Sequence, residues 1–200
     1  MSSVVISGDT SGAITVAAPA VSGTNTLTLQ AATATNAINT LGTVNAGGTN
    51  PFPSSGGPTV VDFTGLPSWV KRITVMFSGV STNATSNYLI QIGTSGGIQN
   101  TGYSSIASVN VSNVSSTAGF ILTAVQAAAA LNSGSYTITL LNSSDGTWAC
   151  SGTMASTTGV SGCNYGAGAK TLSGTLDRVR ITSVTPDTFD AGTINLLLEG

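Results

Sequence analysis

The sequence predicts an all-β protein: an extended N-terminal arm with short β-hairpins, followed by an antiparallel β-sandwich or jelly-roll domain. Three observations carry that reading. From Thr59 onward about eight or nine short apolar runs follow one another in roughly 140 residues, the density expected of a two-sheet fold. Gly, Asn, Ser or Pro stands between most of them, which is turn chemistry. Helical patterning is confined to VQAAAAL, residues 125–131, and so short a segment makes at most a connector.

Taken in order, the chain begins with SVVIS, AITVAA and NTLTLQ, β-prone runs separated by the turn compositions SGDTSG and PAVSGTN. The stretch that follows is small, polar and rich in Gly and Pro, so residues 1–57 are expected to be an arm and linker and residues 58–200 the β-domain. Backbone ordering costs roughly 1 kcal/mol or more per residue, and the arm has too little apolar surface to offset it alone. Its order is therefore expected to come from partners or neighbouring subunits.

In the β-domain the runs are TVVDF, VKRITVMF, NYLIQIG, SIASVNV, GFILTA, SYTITLL, TWACSGTM, TLDRVRITSV and AGTINLLLE. Side chains alternate across a strand, so in VKRITVMF the parity of Ile73, Val75 and Phe77 faces the core and Arg72 faces outward. Lys71 shares the apolar parity but stands at the strand's start, where its stem lies on apolar surface and its ammonium reaches water. In TLDRVRITSV, Val179 and Ile181 go inward with Asp177, while Arg178 and Arg180 go outward. GTSGGIQNTG and YGAGAKTLSG, the second containing Lys170, read as flexible loops, because neither has the spacing or the flanking elements of a phosphate-binding loop.

Charge is the chain's strongest compositional feature. Charged residues are 6% of the sequence, against roughly 25% in an ordinary soluble domain. Little self-repulsion keeps copies apart, so the chain is expected to oligomerise through neutral surface or to live in a larger assembly. With five basic residues and a net charge of −2, the footprint of a nucleic-acid binder is missing. No run approaches the roughly 20 apolar residues that cross a bilayer, so no membrane insertion is expected. The N-terminus shows no basic region followed by an apolar core and cleavage site, which predicts synthesis in a cytoplasm.

Catalysis has little to work with, and neither enzymatic activity nor a cofactor is expected. The chain has no histidine, which removes the commonest general base and zinc ligand. Asp187 and Asp190 are the one close carboxylate pair that could address a glycosidic bond, and turn chemistry accounts for them better. Cys150 and Cys163 flank the segment SGTMASTTGVSG; they are either buried free thiols or a disulfide formed after release from a reducing cytoplasm. Trp69, Trp148, Tyr88, Tyr103 and Tyr165 could stack on sugars, though packing is the commoner role of such residues in a sandwich.

The cations are the candidate interface residues. Lys71, Arg72, Arg178 and Arg180 are four of the five basic residues and sit on two strands expected to be adjacent. Asp62, Asp177, Asp187 and Asp190 are the nearest carboxylates, from the same or a neighbouring subunit.

Two sets of segments carry a resemblance. SVVISGDTSGAITVAAPAVSGTNTLTLQAAT resembles a leader that recurs at the N-termini of tailed-bacteriophage structural proteins, especially tail-fibre-like ones. GLPSWVKRITVMFSGVSTNATSNYLIQIGTSGGIQNTGYSS, with GTWACSG, KTLSGTLDRVRITSV and DTFDAGTINLLLEG, is similar to a β-rich domain of phage virion proteins. The resemblance implies a virion component assembled in the bacterial cytoplasm, a homotrimer whose arm docks on other tail or capsid proteins while the β-domain projects outward as a knob, facing a host surface receptor. A tail fibre is the first expectation and a capsid decoration protein the alternative; a polysaccharide depolymerase ranks third.

Overall fold

The computed structural model describes residues 3–7, 13–17, 44–45, 52–128, 130–158 and 161–200. Contacts divide the chain into two units, Met1–Ile38 and Asn39–Gly200. In the first, β1 (Ser3–Ser7) and β2 (Ala13–Ala17) pair antiparallel, with Val5 opposite Thr15. This is one of the short hairpins expected of the arm. NTLTLQ and most of the other residues up to 51 lie outside the described residues.

Every regular element described in the second unit is a strand: β3 (Val44–Asn45), β4 (Val61–Thr64), β5 (Arg72–Thr82), β6 (Tyr88–Thr94), β7 (Gly97–Gln99), β8 (Tyr103–Val109), β9 (Ser112–Ser116), β10 (Phe120–Ile121), β11 (Asn132–Asn142), β12 (Thr147–Ser156), β13 (Gly162–Thr171), β14 (Arg178–Ser183) and β15 (Phe189–Glu199). They form two antiparallel sheets packed as a sandwich. The smaller runs β10-β6-β14-β4 with β7 on the free half of the β6 edge, and the larger runs β3-β15-β5-β11-β12-β13-β8-β9.

The expected alternation places the core between the sheets. Ile73, Val75 and Phe77 of β5 are buried against Val179 and Ile181 of β14 and Ile90 and Ile92 of β6. Strand β6 is buried on both faces. Its Leu89, with Ile121 of β10, forms a second small cluster with Ala107 of β8, and Val114 of β9 packs against it. Asp177 departs from the expected inward parity because it precedes β14 and is not held by the strand's pleat.

The second unit, Asn39–Gly200, includes residues on the N-terminal side of the compositional boundary at 57/58. Strand β3 pairs with β15, and Phe52 enters the core with its ring 5.4 Å from that of Phe189 and its N–H donating to the Gly192 carbonyl at 2.9 Å. YGAGAKTLSG is not a loop: most of it is β13, between β12 and β8. Part of GTSGGIQNTG likewise is β7. Within VQAAAAL no helix forms among the described residues; a turn closes there by an Ala130 N–H to Ala127 carbonyl bond of 3.1 Å.

The glycines of β12 and β13 explain why a strand as poor in β-branched residues as β13 exists. Tyr136 of β11 is paired with Gly152, and Gly152 with Gly166. A Cβ on Gly152 would sit 2.6 Å from Tyr136 Cγ, and one on Gly166 would sit 3.3 Å from the Tyr136 hydroxyl and 2.9 Å from the Ile121 carbonyl oxygen. The tyrosine ring therefore lies along the sheet over both glycines. Its hydroxyl donates to the Leu122 carbonyl at 2.6 Å and ties the loop after β10 to the large sheet. Gly168 meets the same crowding, with the Ser104 carbonyl oxygen 2.6 Å from where its Cβ would be.

The cysteines do not form a bridge. In the β12–β13 register Cys150 faces Gly168 and Cys163 faces Ala155. Five residues of strand separate the two levels, about 17 Å, and Cys150 is buried while Cys163 is exposed.

Replacing Gly152 with valine forces a side chain into the space of Tyr136. The expected loss is about 1–3 kcal/mol in a urea melt, against little change for Ala167→Val on the opposite face of the sheet.

Alkaline stability follows from the buried phenols. Burial raises the pKa of Tyr136 and Tyr103 and pushes Tyr88 up to about 12; burial also pushes up the Cys150 thiol. The folded state favours the neutral forms, so their contribution is complete below the ordinary tyrosine pKa of about 10 and is lost as pH rises through the folded values. The urea midpoint is expected to hold level at neutral pH and to fall as pH rises from about 10 to 12. Tyrosinate absorbance from these three residues should appear together with unfolding.

Candidate functional site

The sandwich separates the sequence-predicted cations. Arg72 lies on β5 in the large sheet and Arg178 and Arg180 on β14 in the small one, so the two strands are not adjacent. This corrects the expectation that the two strands are neighbours.

On the outer face of the small sheet, Arg180 stands opposite Asp62 in the β14–β4 register. The pair is bidentate: Nε donates to Oδ1 and Nη2 to Oδ2, each at 2.7 Å. Hydrogen bonding to Asp62 raises the Arg180 pKa above its ordinary value. One residue pair along, the Asp177 carboxylate folds back on Arg178, accepting from Nε at 2.9 Å and Nη2 at 2.7 Å, while Nη2 also donates to the Ser95 carbonyl at 3.2 Å. These four residues form one patch in which each charge is answered within the chain.

Arg72 finds a partner that the sequence reading did not assign. Glu199 is its register neighbour on β15, and Arg72 Nε lies 3.4 Å from Glu199 Oε2, both side chains being about half exposed. The signal was present: AGTINLLLE and VKRITVMF, paired antiparallel, bring their charged ends together. Lys170 is buried on β13, its ammonium 5.5 Å from the centre of the Tyr103 ring, in reach of a cation–π contact.

The other candidates resolve as packing. Tyr88, Tyr103 and Trp148 are buried, and Trp69 is partly buried against the core. Asp187 is buried and accepts the Ser86 N–H at 2.8 Å; Asp190 accepts from the Ser81 hydroxyl. Asp187 is thereby bound into the turn before β15, and Asp190, inside β15, is bound across to β5. Among the described residues no cluster of three or more His, Cys, Asp or Glu is placed to hold a metal, and no helix is long and apolar enough to cross a membrane.

Opposite the charged patch lies a surface of another kind. Across the outer face of the large sheet, register partners run Leu197, Thr74, Thr137, Ser151, Ala167 and Ile106, one from each of six strands. The neighbouring row contains Met76, Thr153 and Tyr165. Neither row holds a charge. The face is about 24 Å wide, six strands at roughly 4.8 Å, and its larger apolar side chains are well exposed: Tyr165 at 53%, Ile106 at 50% and Met76 at 36%. Ser and Ala between them keep it flat. Tyr165 was legible as an aromatic residue, but its role here depended on recognising β13 as a strand.

Compared with protein-family models, with curated proteins and with solved structures, the chain has no significant match in any of the three.

The ion pairs of the small sheet are exposed enough for solvent to weaken them. A double-mutant cycle on Asp62→Ala and Arg180→Ala is expected to give a coupling of about 0.5–1 kcal/mol in stability. Because each partner lies in the same chain, the oligomeric mass by light scattering should not change; dissociation would assign these charges to a subunit contact.

Proposed function

We propose that this chain is a structural component of a bacteriophage virion, a homotrimeric fibre-like appendage in which the N-terminal arm docks on the particle and the β-sandwich forms the outward knob. The observation that carries the reading is the pair of uncharged central rows on the outer face of the large sheet, a surface with exposed Tyr165, Ile106 and Met76 in a chain whose charged residues are 6% of the total. Such a face lacks the charge that keeps soluble copies apart and offers apolar area for burial against symmetry mates. The leader-like segment that begins SVVISGDTSG belongs to a unit of its own, Met1–Ile38, as an attachment arm would. The fold fits a knob: a sandwich in which Arg72, Arg178 and Arg180 are paired within the chain.

Assembly through the neutral face predicts that Tyr165→Glu and Ala167→Glu lower the light-scattering mass from three chains to one while the β-sheet circular dichroism persists. Arg178→Ala, on the other sheet, should assemble normally. On intact particles, gold-labelled antibody against the β-domain is expected at the tail; label spread over the shell would instead make the chain a capsid decoration protein. A monomer at micromolar concentration that never changes with salt would overturn the trimer.

A further inference from the structure

Four of the five cations have a partner within the chain: Arg72 with Glu199, Arg178 with Asp177, Arg180 with Asp62, and Lys170 with the Tyr103 ring. Lys71 is the remaining one, exposed and in no ion pair among the described residues. It lines a cavity of about 430 Å³ at one end of the sandwich, a size within the range of roughly 300–1,000 Å³ found for small-molecule sites.

Two turns form the walls of this cavity. The β11–β12 turn contributes Ser144 and Asp145, and the β13–β14 connection contributes Ser173 and Thr175. The floor is apolar, made in part by Trp148 and Leu140. The walls are held before any ligand arrives. Asp145 accepts the Thr147 N–H at 2.9 Å and the Asn142 side-chain amide at 3.0 Å, and the Leu172 N–H donates to the Gly146 carbonyl at 3.1 Å, fastening one turn to the other. Gly146 adopts the left-handed conformation, φ 73°, which a side chain would strain. The Lys71 backbone is clamped on both sides, its N–H to the Glu199 carbonyl and its carbonyl to the Leu140 N–H, each at 2.8 Å. The side chain is therefore free at its end and fixed at its root.

We propose that this cavity binds an acidic sugar residue, a hydroxyl-rich ring bearing one carboxylate. Hydroxyl side chains donate and accept equally, which matches sugar hydroxyls; the Asp145 carboxylate takes further hydroxyl donors. The apolar floor suits the C–H face of a pyranose. A single ammonium matches a single carboxylate. A nucleotide phosphate would call for more than one cation, and Lys71 is the single cation among the lining residues. The site goes beyond the virion reading and does not depend on it, since a chain that never joins a particle would bind in the same way.

The test uses the purified full chain, titrated with D-glucuronate, D-galacturonate, D-glucose and acetate, followed by calorimetry and by tryptophan fluorescence from the cavity floor. At least one uronate should bind saturably, and glucose and acetate should each bind about tenfold or more weaker, because a hydrogen-bonded charge contributes that much. Lys71→Met, which keeps the stem, should reduce uronate affinity to that of glucose, and Thr175→Val should weaken both sugars several-fold. Arg178→Ala should bind as wild type, which separates loss of the site from a general loss of positive charge. Absence of saturable binding by both uronates, equal binding of acetate, or unchanged affinity in Lys71→Met would each overturn the proposal.

Discussion

The crossing of Tyr136 over Gly152 and Gly166 is the contact on which the arrangement of the two sheets depends. A side chain on a strand ordinarily stands away from the sheet and holds the facing layer roughly 10 Å off. Here two adjacent strands lack a Cβ at the same level, so the ring turns along the sheet and its hydroxyl reaches the Leu122 carbonyl. The segment around β10 is drawn close enough to the large sheet for the Ser105 hydroxyl to accept the Ile121 N–H at 3.0 Å. Close approach also creates the second cluster of Leu89, Ala107 and Ile121. The glycines are thus a packing requirement of the interior.

That requirement shapes the exterior. Strand β13 alternates its inward glycines with small outward residues, Ala167 and Ala169, around Tyr165. The central face of the large sheet is consequently smooth and uncharged. Charge collects elsewhere, as the bidentate Arg180–Asp62 pair and its neighbour on the small sheet and as Arg72–Glu199 at the end of β5. One molecule therefore presents a large sheet with two uncharged central rows, a small sheet whose charges are neutralised within the chain, and a cavity at one end of the sandwich where Lys71 stands without an ionic partner among the described residues.

Turn residues and alternating apolar runs made the all-β class readable, and alternation alone placed Ile73, Val75, Phe77, Val179 and Ile181 inside and Arg72, Arg178 and Arg180 outside. These are local properties: a strand's pleat decides the parity of its side chains whatever it packs against. The same logic failed at strand ends, where Asp177 is free of the pleat and folds back onto Arg178.

Pairing was beyond the reach of the sequence. Which strands are neighbours decides that Asp62 meets Arg180 and Glu199 meets Arg72, and that β5 and β14 lie in different sheets. Strand β13 was invisible because its glycines answer to Tyr136 and Ser104, residues distant in the chain, and not to β-propensity. Phe52 read as part of a linker because a lone aromatic shows nothing of its burial, which comes from distant residues such as Phe189. The sequence by itself determined the apolar strands and which way each one faces, since backbone geometry imposes that residue by residue; the tertiary structure alone decided the glycine-rich strand β13, the register, the close layer contact and the cavity, since each is made by residues that only folding brings together.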